Sequence, residues 1–121
     1  MDLFNKEKYN PAKECFDKTI DVITDLQSEI RISSEYYAAI CAIELFHNDA
    51  EYLLNKFIIS HPDNSKVELA NFQLAKLYYR QQKYLKAEKA FEDVDVYDLN
   101  TEELSEYYFK SGYSFFMLKK Y

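Results

Sequence analysis

The sequence contains almost none of the residues that build tight turns and phosphate-binding loops. It has one glycine and two prolines among 121 residues, and no tryptophan. Folds built from many strands need a turn every few residues, and glycine supplies the positive backbone angles that many such turns require. The composition therefore argues against a fold rich in β-hairpins and against a glycine-rich phosphate loop.

A basic stripe and a long apolar run are also missing. Acidic and basic residues are interleaved and the net charge is −6, whereas nucleic-acid-binding proteins usually carry a concentrated basic face. The longest apolar run, residues 36–46, is too short to cross a membrane and contains Glu44. We expect neither a nucleic-acid partner nor a membrane span.

Residues that could carry chemistry are few and scattered. Cys15 and Cys41 lie on apolar helical stripes, and with His47 and His61 they make four soft ligands, but no pair has the short spacing of zinc sites. Neighbouring carboxylates such as Glu102 and Glu103 are explained by a helix start. We expect no catalytic residue, no metal site and no cofactor, and an enzyme is the most remote of the alternatives.

What the sequence does contain is a regular pattern of apolar residues between Leu69 and Val94. The pattern has helical spacing in two halves, which the polar run 80–83 separates. The first half holds Ala70, Leu74, Leu77 and Tyr78, and the second holds Tyr84, Ala87, Phe91 and Val94. Two antiparallel amphipathic helices joined by a short turn are predicted.

This pattern returns along the chain at intervals of about 37 residues. Pairs of a small and a bulky residue four positions apart occur at Ala12–Phe16, Ala50–Leu54 and Ala87–Phe91, with alanines 38 and then 37 residues apart. The pair Tyr78–Tyr79, six residues before Tyr84, matches Phe115–Phe116, six before Tyr121. Repeats of this length, each a helix pair, are typical of α-solenoids.

On these residues the chain resembles the tetratricopeptide repeat family. Small residues stand where the two helices of that repeat approach, at Cys41, Ala75 and Gly112 in the first helix and at Ala12, Ala50 and Ala87 in the second. The resemblance implies an all-α solenoid, a right-handed superhelix of about three repeats. It also implies a truncated first helix at the start and an unpaired helix at the end, as in a piece of a longer multi-repeat protein.

The predicted organisation is a single domain over residues 1–121. Its units are about 1–30, 33–62 and 65–98, with an incomplete unit at 101–121. Helix starts are predicted at Asn10–Pro11, at Ser33 or Ser34, at the capping box Ser65–Glu68 and at Asn100 or Thr101. The helix that starts at Asn10 carries the stripe Ala12, Phe16, Ile20, Ile23 and Leu26.

For function, the resemblance implies recognition of a peptide or protein on the concave side of the repeats. The first helix of each repeat lines that side. Its outward residues in the last two units are Phe72, Lys76, Tyr79 and Arg80, and Phe109, Tyr113, Phe116 and Met117. Aromatic residues and arginine are common interface anchors, so the expected role is a scaffold or adaptor. The same side chains could instead contact a neighbouring repeat, or a helix lost in truncation.

An alternative is a structural segment that associates with itself. Uncovered repeat ends would expose apolar faces through which two copies could form a homodimer. Residues 54–85 also resemble bacterial envelope repeat proteins that assist outer-membrane or periplasmic assembly. That resemblance implies a location in the bacterial periplasm or cell envelope, although cytoplasmic members share the same local pattern.

Overall fold

The structure, a computed structural model, describes residues 3–25 and 28–119, with side chains from residue 9 onward. These residues form six α-helices, one short 3-10 helix and no strand, which confirms the predicted all-α class. Leu26 of the predicted stripe and Tyr121 of the repeat pattern lie outside the described residues. The elements are α1 (Leu3–Val22), α2 (Glu29–Glu44), α3 (Ala50–Ser60), α4 (Lys66–Arg80), α5 (Tyr84–Glu92), the 3-10 helix (Val96–Asp98) and α6 (Thr101–Lys119).

Instead of one undivided body, the chain forms two compact units, Met1–Pro62 and Asp63–Tyr121. The division follows Pro62, the last residue of the second predicted unit, 33–62. In the first unit α2 packs against both α1 and α3, and in the second unit α5 packs against both α4 and α6. Each unit therefore has a central helix with a neighbour on either side.

The prediction that Asn10 and Pro11 begin a new helix is wrong. Helix α1 runs without interruption from Leu3 to Val22, and Pro11 lies inside it. A proline in a helix interior removes one backbone hydrogen bond and crowds the preceding turn. Pro11 is exposed, so its ring displaces no packed neighbour there. The segment predicted as a helix pair at about 1–30 therefore begins with one long helix.

Helix α2 also begins earlier than Ser33 or Ser34. It starts at Glu29, with Ser28 at the N-cap position. Arg31 explains the early start, because its guanidinium donates hydrogen bonds to the carbonyl oxygens of Ile20 and Ile23, the latter at 2.6 Å. A cation that binds the last carbonyls of a helix stabilises its C-terminus. The first turn of α2 is thus anchored to the end of α1.

Of the two predicted caps in the second unit, one forms and one does not. Asn100 and Glu103 make a reciprocal capping box, since each side chain accepts a hydrogen bond from the other's backbone N–H at 2.9 and 3.0 Å. Ser65 makes no such bond. Asn64 Oδ1 accepts from Lys66 N instead, and the Glu68 carboxylate accepts from Asp95 N at 3.0 Å. Glu68 therefore holds the loop that follows α5.

Two helices end in the same kind of turn, 36 residues apart. Phe46 after α2 has a φ of 58° and Gln82 after α4 has a φ of 62°. In each turn the next residue donates its N–H to the carbonyl five residues back, His47 to Ala42 and Lys83 to Tyr78. This is the Schellman motif, and glycine is the usual residue at its left-handed position. With a single glycine in the chain, a phenylalanine and a glutamine adopt that conformation.

Four of the six small residues of the predicted pattern are buried, two in each of the hairpins α2–α3 and α4–α5, whereas Ala12 is only half-buried. Ala50 and Ala87, which are 37 residues apart, have 3% and 0% of their surface exposed, and Cys41 and Ala75 are buried too. Gly112 departs from this pattern. It is exposed, and a Cβ added there would meet nothing within 4 Å. The prediction of a close helix contact at Gly112 is therefore wrong for this structure.

The left-handed residue after α4 leads to a stability prediction. Gln82→Gly should stabilise the second unit by about 0.5–1 kcal/mol, because glycine has no Cβ to clash at positive φ. Gln81→Gly is the matched control, since Gln81 has a φ of −83° and glycine only adds backbone entropy to the unfolded chain there. Urea denaturation should give opposite signs for the two variants. Equal effects would contradict the conformational explanation.

Candidate functional site

Helix α6 is held on the second unit by a tyrosine at its inner face. The Tyr107 ring meets the Phe91 ring edge-on, with centroids 5.5 Å apart, and its hydroxyl donates to the Phe91 carbonyl at 3.2 Å. Burial, followed by the nearby Tyr108 and Glu92, raises the pKa of the Tyr107 phenol. On the same side Ser114 is fully buried and donates to the Lys110 carbonyl. These contacts fix which side of α6 faces outward.

A carboxylate between two lysines joins α4 to α6. Glu106 lies 3.3 Å from the Lys76 ammonium of α4 and 3.1 Å from the Lys110 ammonium of its own helix. Burial works to raise the pKa of Glu106, but the Lys110 hydrogen bond and the two positive charges outweigh it, so the pKa lies below its ordinary value. Two ammonium groups share one carboxylate, which leaves this place with an excess of positive charge.

Three tyrosines meet beside these charges. The ring centroids of Tyr79, Tyr84 and Tyr113 lie 5.8 to 6.1 Å from one another, in edge-on or tilted orientations that favour aromatic contacts. The Lys110 ammonium lies 5.3 Å from the centre of the Tyr79 ring, a distance at which cation–π attraction operates. The cluster brings together side chains from α4, α5 and α6.

Two phenylalanines extend this cluster along α6 into solvent. Phe109 stacks on Tyr113 with centroids 6.3 Å apart, and Phe116 lies 6.4 Å from the same ring. Phe109 is 66% exposed and Phe116 is 60% exposed. We call the whole set the α4–α6 aromatic surface. It comprises Lys76, Tyr79, Tyr84, Glu106, Phe109, Lys110, Tyr113 and Phe116.

Most of the residues predicted for partner binding therefore lie in one place. Arg80 is exposed at the C-terminal end of α4, directly after Tyr79 in the chain, and Met117 is half-buried on α6, directly after Phe116. Arg80 and Met117 are not among the residues that define the α4–α6 aromatic surface. The predicted residues that do belong to the α4–α6 aromatic surface are Lys76, Tyr79, Phe109, Tyr113 and Phe116.

Phe72 is the exception, because the prediction that it lies on the outward side of α4 is wrong. Its side chain is fully buried. The ring packs against Phe91 of α5, with centroids 6.4 Å apart, and the Lys76 ammonium covers it at 4.6 Å. Phe72 is thus a core residue of the second unit, and its ring contacts the Lys76 ammonium.

Sequence reasoning missed three members of the surface: Tyr84, Glu106 and Lys110. Tyr84 belongs to the apolar stripe of α5, and that spacing predicts a place in the core of the hairpin. Glu106 and Lys110 stand four residues apart on α6, a spacing that predicts an ion pair within the helix. That spacing gives no sign that Lys76 of α4 also binds Glu106.

A polar network in the first unit is the second place where charged side chains are enclosed. Glu35 Oε2 lies 2.6 Å from His61 Nε2, and Glu35 Oε1 lies 3.6 Å from Arg31 Nε. His61 is buried beside the Phe57 ring, and its Nδ1 has no hydrogen-bond partner in the described structure. The network joins the ends of α1 and α3 to α2, so it has a structural role in this unit.

A small pocket borders this network. Its volume is about 60 Å³, which suits a few water molecules better than a metabolite. It has two carboxylates, one ammonium and one hydroxyl among apolar walls. The lining residues are Asp17, Ile20, Glu35, Ala38, Leu53, Lys56, Phe57 and Ser60. Neither the size nor the lining indicates a substrate site.

Other chemistry-bearing residues do not converge. Cys41 is buried, and burial raises the pKa of its thiol, whereas Cys15 is exposed rather than part of a core. Across the residues that the structure describes, no three His, Cys, Asp or Glu side chains are grouped so that they could hold a metal ion. Within that same part of the chain, every helix is too short or too polar to cross a bilayer.

The Glu106 contacts predict a pH-dependent contribution to stability. Because the pKa of Glu106 is lowered by folding, its contribution is complete above the ordinary carboxyl value and is lost as the pH falls through the lower folded-state value. Glu106→Gln should destabilise the chain at pH 7 by about 1 kcal/mol or less, since the site is partly exposed.

The corresponding measurement is urea denaturation of both proteins between pH 7 and pH 3. The difference between them should shrink below about pH 4.5. Glu14→Gln, which removes an exposed carboxylate of α1, is the control and should show little difference at any pH. A Glu106→Gln difference that grows on acidification would contradict the assigned contacts.

The chain matches no protein-family model, no curated protein and no solved structure. Its resemblance to the tetratricopeptide repeat family therefore depends on the residues and turns of this chain alone.

Proposed function

We propose that the chain is a protein-interaction module, a scaffold or adaptor, which binds a partner segment on the α4–α6 aromatic surface. The observation that carries this proposal is the continuous row of rings from Tyr79 through Tyr113 to Phe109 and Phe116. Binding energy at interfaces is concentrated in a few aromatic and arginine anchors. Here such anchors are exposed, yet they are positioned by contacts with their neighbours.

The charges beside the rings define the partner's chemistry. Lys76 and Lys110 share the single carboxylate of Glu106, in a chain whose net charge is −6. A partner carboxylate placed near these lysines would meet an attractive local field despite the acidic whole. The proposed partner is a segment with an aromatic or aliphatic anchor next to one or more acidic residues.

The architecture that we propose with this function is a tetratricopeptide-like array. Its support is the recurrence of one hairpin: α2–α3 and α4–α5 share a Schellman turn, and each buries an alanine at the start of its second helix. In such arrays the first helices of successive repeats line the binding side. Contacts between α4 and α6, which are the first helices in this assignment, agree with that arrangement within the second unit.

A selection from a library of random twelve-residue peptides displayed on phage tests the proposal. Peptides that carry an acidic residue beside an aromatic or aliphatic one should be enriched on the immobilised chain. Tyr113→Ala should weaken the selected peptides about tenfold or more in a fluorescence anisotropy titration, because Tyr113 contacts four other rings. Helix content measured by circular dichroism should be unchanged.

Tyr97→Ala is the matched control. Tyr97 is 93% exposed in the 3-10 helix and belongs to no aromatic contact of the surface, so its loss should leave binding unchanged. The proposal is overturned if no peptide is enriched, or if Tyr113→Ala and Tyr97→Ala behave alike. Enrichment of basic peptides would instead reject the charge assignment and retain the surface.

A further inference from the structure

Helix α6 exposes a second apolar face, which shares only Phe109 with the α4–α6 aromatic surface. Its centre is Gly112, which has open space around it. Phe109 stands three residues before the glycine and Phe115 three residues after it, with 66% and 46% of their surfaces exposed. Residues three apart lie on one side of a helix. We call these three residues the α6 outer face.

The same three positions exist in α4, 37 residues earlier, and there they are buried. They are Phe72, Ala75 and Tyr78, with exposed fractions of 0%, 0% and 8%. Helix α5 covers them: its Phe91 ring packs against Phe72, and its Lys86 ammonium lies 5.7 Å from the centre of the Tyr78 ring. In α4, an aromatic residue, a small residue and a second aromatic residue thus form the surface on which the next helix packs.

We infer that the α6 outer face is a docking site for an amphipathic helix of the α5 type. Such a helix has a small residue that faces Gly112 and an aromatic residue four positions later, as Ala87 and Phe91 stand in α5. The small residue is needed because two helix backbones approach closely only where neither side chain is large. The aromatic residue would then pack against Phe109, as Phe91 packs against Phe72.

The absence of charge on the exposed side of α6 agrees with this occupant. Between residues 105 and 116, every exposed residue of α6 is uncharged: Ser105, Tyr108, Phe109, Gly112, Tyr113, Phe115 and Phe116. Isolated apolar side chains are ordinary on protein surfaces, but a continuous uncharged aromatic strip marks an interaction site. A highly charged peptide would find no partner there, whereas the apolar stripe of a helix would.

The test uses a peptide that copies residues 83–95 of this chain, held helical by a lactam between Lys89 and a glutamate introduced by Leu85→Glu. Leu85 and Lys89 are both outside the docking stripe of α5, and Leu85 is 55% exposed, so the bridge lies away from that stripe. Fluorescence anisotropy against the full chain should show saturable binding. The same peptide with Phe91→Ala should bind at least tenfold more weakly, because it lacks the ring that would meet Phe109.

Two variants of the protein test whether the peptide binds on α6. Gly112→Leu should reduce binding tenfold or more, because it fills the position where the helices approach. Gly112→Ala should retain binding, since alanine occupies the equivalent position in α4. Neither variant should lower the melting temperature, because Gly112 is exposed, its Cβ position is open, and both residues favour helix more than glycine does.

The inference is overturned if the bridged peptide shows no saturable binding, or if Gly112→Leu binds it as well as the unchanged chain does. Sedimentation equilibrium gives a third way to overturn it. A dimer that Gly112→Leu converts to monomer, without peptide binding, would assign the face to a second copy of the chain. Tyr79→Ala should weaken the peptides selected for the α4–α6 aromatic surface and leave the bridged peptide bound, because Tyr79 belongs to α4 and not to the α6 outer face, and this keeps the test separate from that of the proposed function.

Discussion

The packing of both helical hairpins depends on how closely two helices can approach. Each hairpin buries an alanine in the first turn of its second helix, Ala50 in α3 and Ala87 in α5, with almost no exposed surface. Because helix axes come close only over small side chains, the bulky residues are placed one turn away. Leu54 and Phe91, four residues after these alanines, are both fully buried. Phe91 in turn contacts the rings of Phe72 in α4 and Tyr107 in α6.

The scarcity of glycine shapes the turns as well as the helices. A hairpin of two helices must reverse within a few residues, and the Schellman turn does so with one residue at positive φ. Phe46 and Gln82 adopt that conformation although each carries a Cβ. The carbonyls that the turn satisfies and the helix packing that follows it must outweigh the local cost. The turn is thus imposed by the packing of the helices it joins.

Local sequence patterns predicted the elements whose signals are local. The hairpin of α4 and α5 followed from its two apolar stripes. The start of α6 was predicted at Asn100 or Thr101, and the helix begins at Thr101 with a capping box between Asn100 and Glu103. The early start of α2 had no such signal. It depends on Arg31 reaching the carbonyl of Ile20, and a contact across eleven residues between two helices leaves no pattern in a short window.

In the candidate site, too, local spacing was predictable from the sequence and contacts between helices were not. The 37-residue spacing equates Phe72 with Phe109, but it could not show that α5 covers the first and that the second is exposed. Exposure depends on which helix packs next, not on the residue type. For the same reason Glu106 was missed, because its second lysine comes from α4 and not from its own helix.

Comparison of α4 with α6 then separates the exposed aromatic residues by their physical role. Tyr113 and Phe116 correspond to Lys76 and Tyr79, which stay partly exposed beside α6, so a binding role is compatible with their position. Phe109 and Phe115 correspond to residues that α4 buries under α5. A disordered segment that covered them would have to order about nine residues, the length of α5. The loss of backbone conformational entropy costs about 1–2 kcal/mol for each ordered residue. Burial of a small aromatic face returns little beyond that cost, so a helix that is already formed is the favoured occupant.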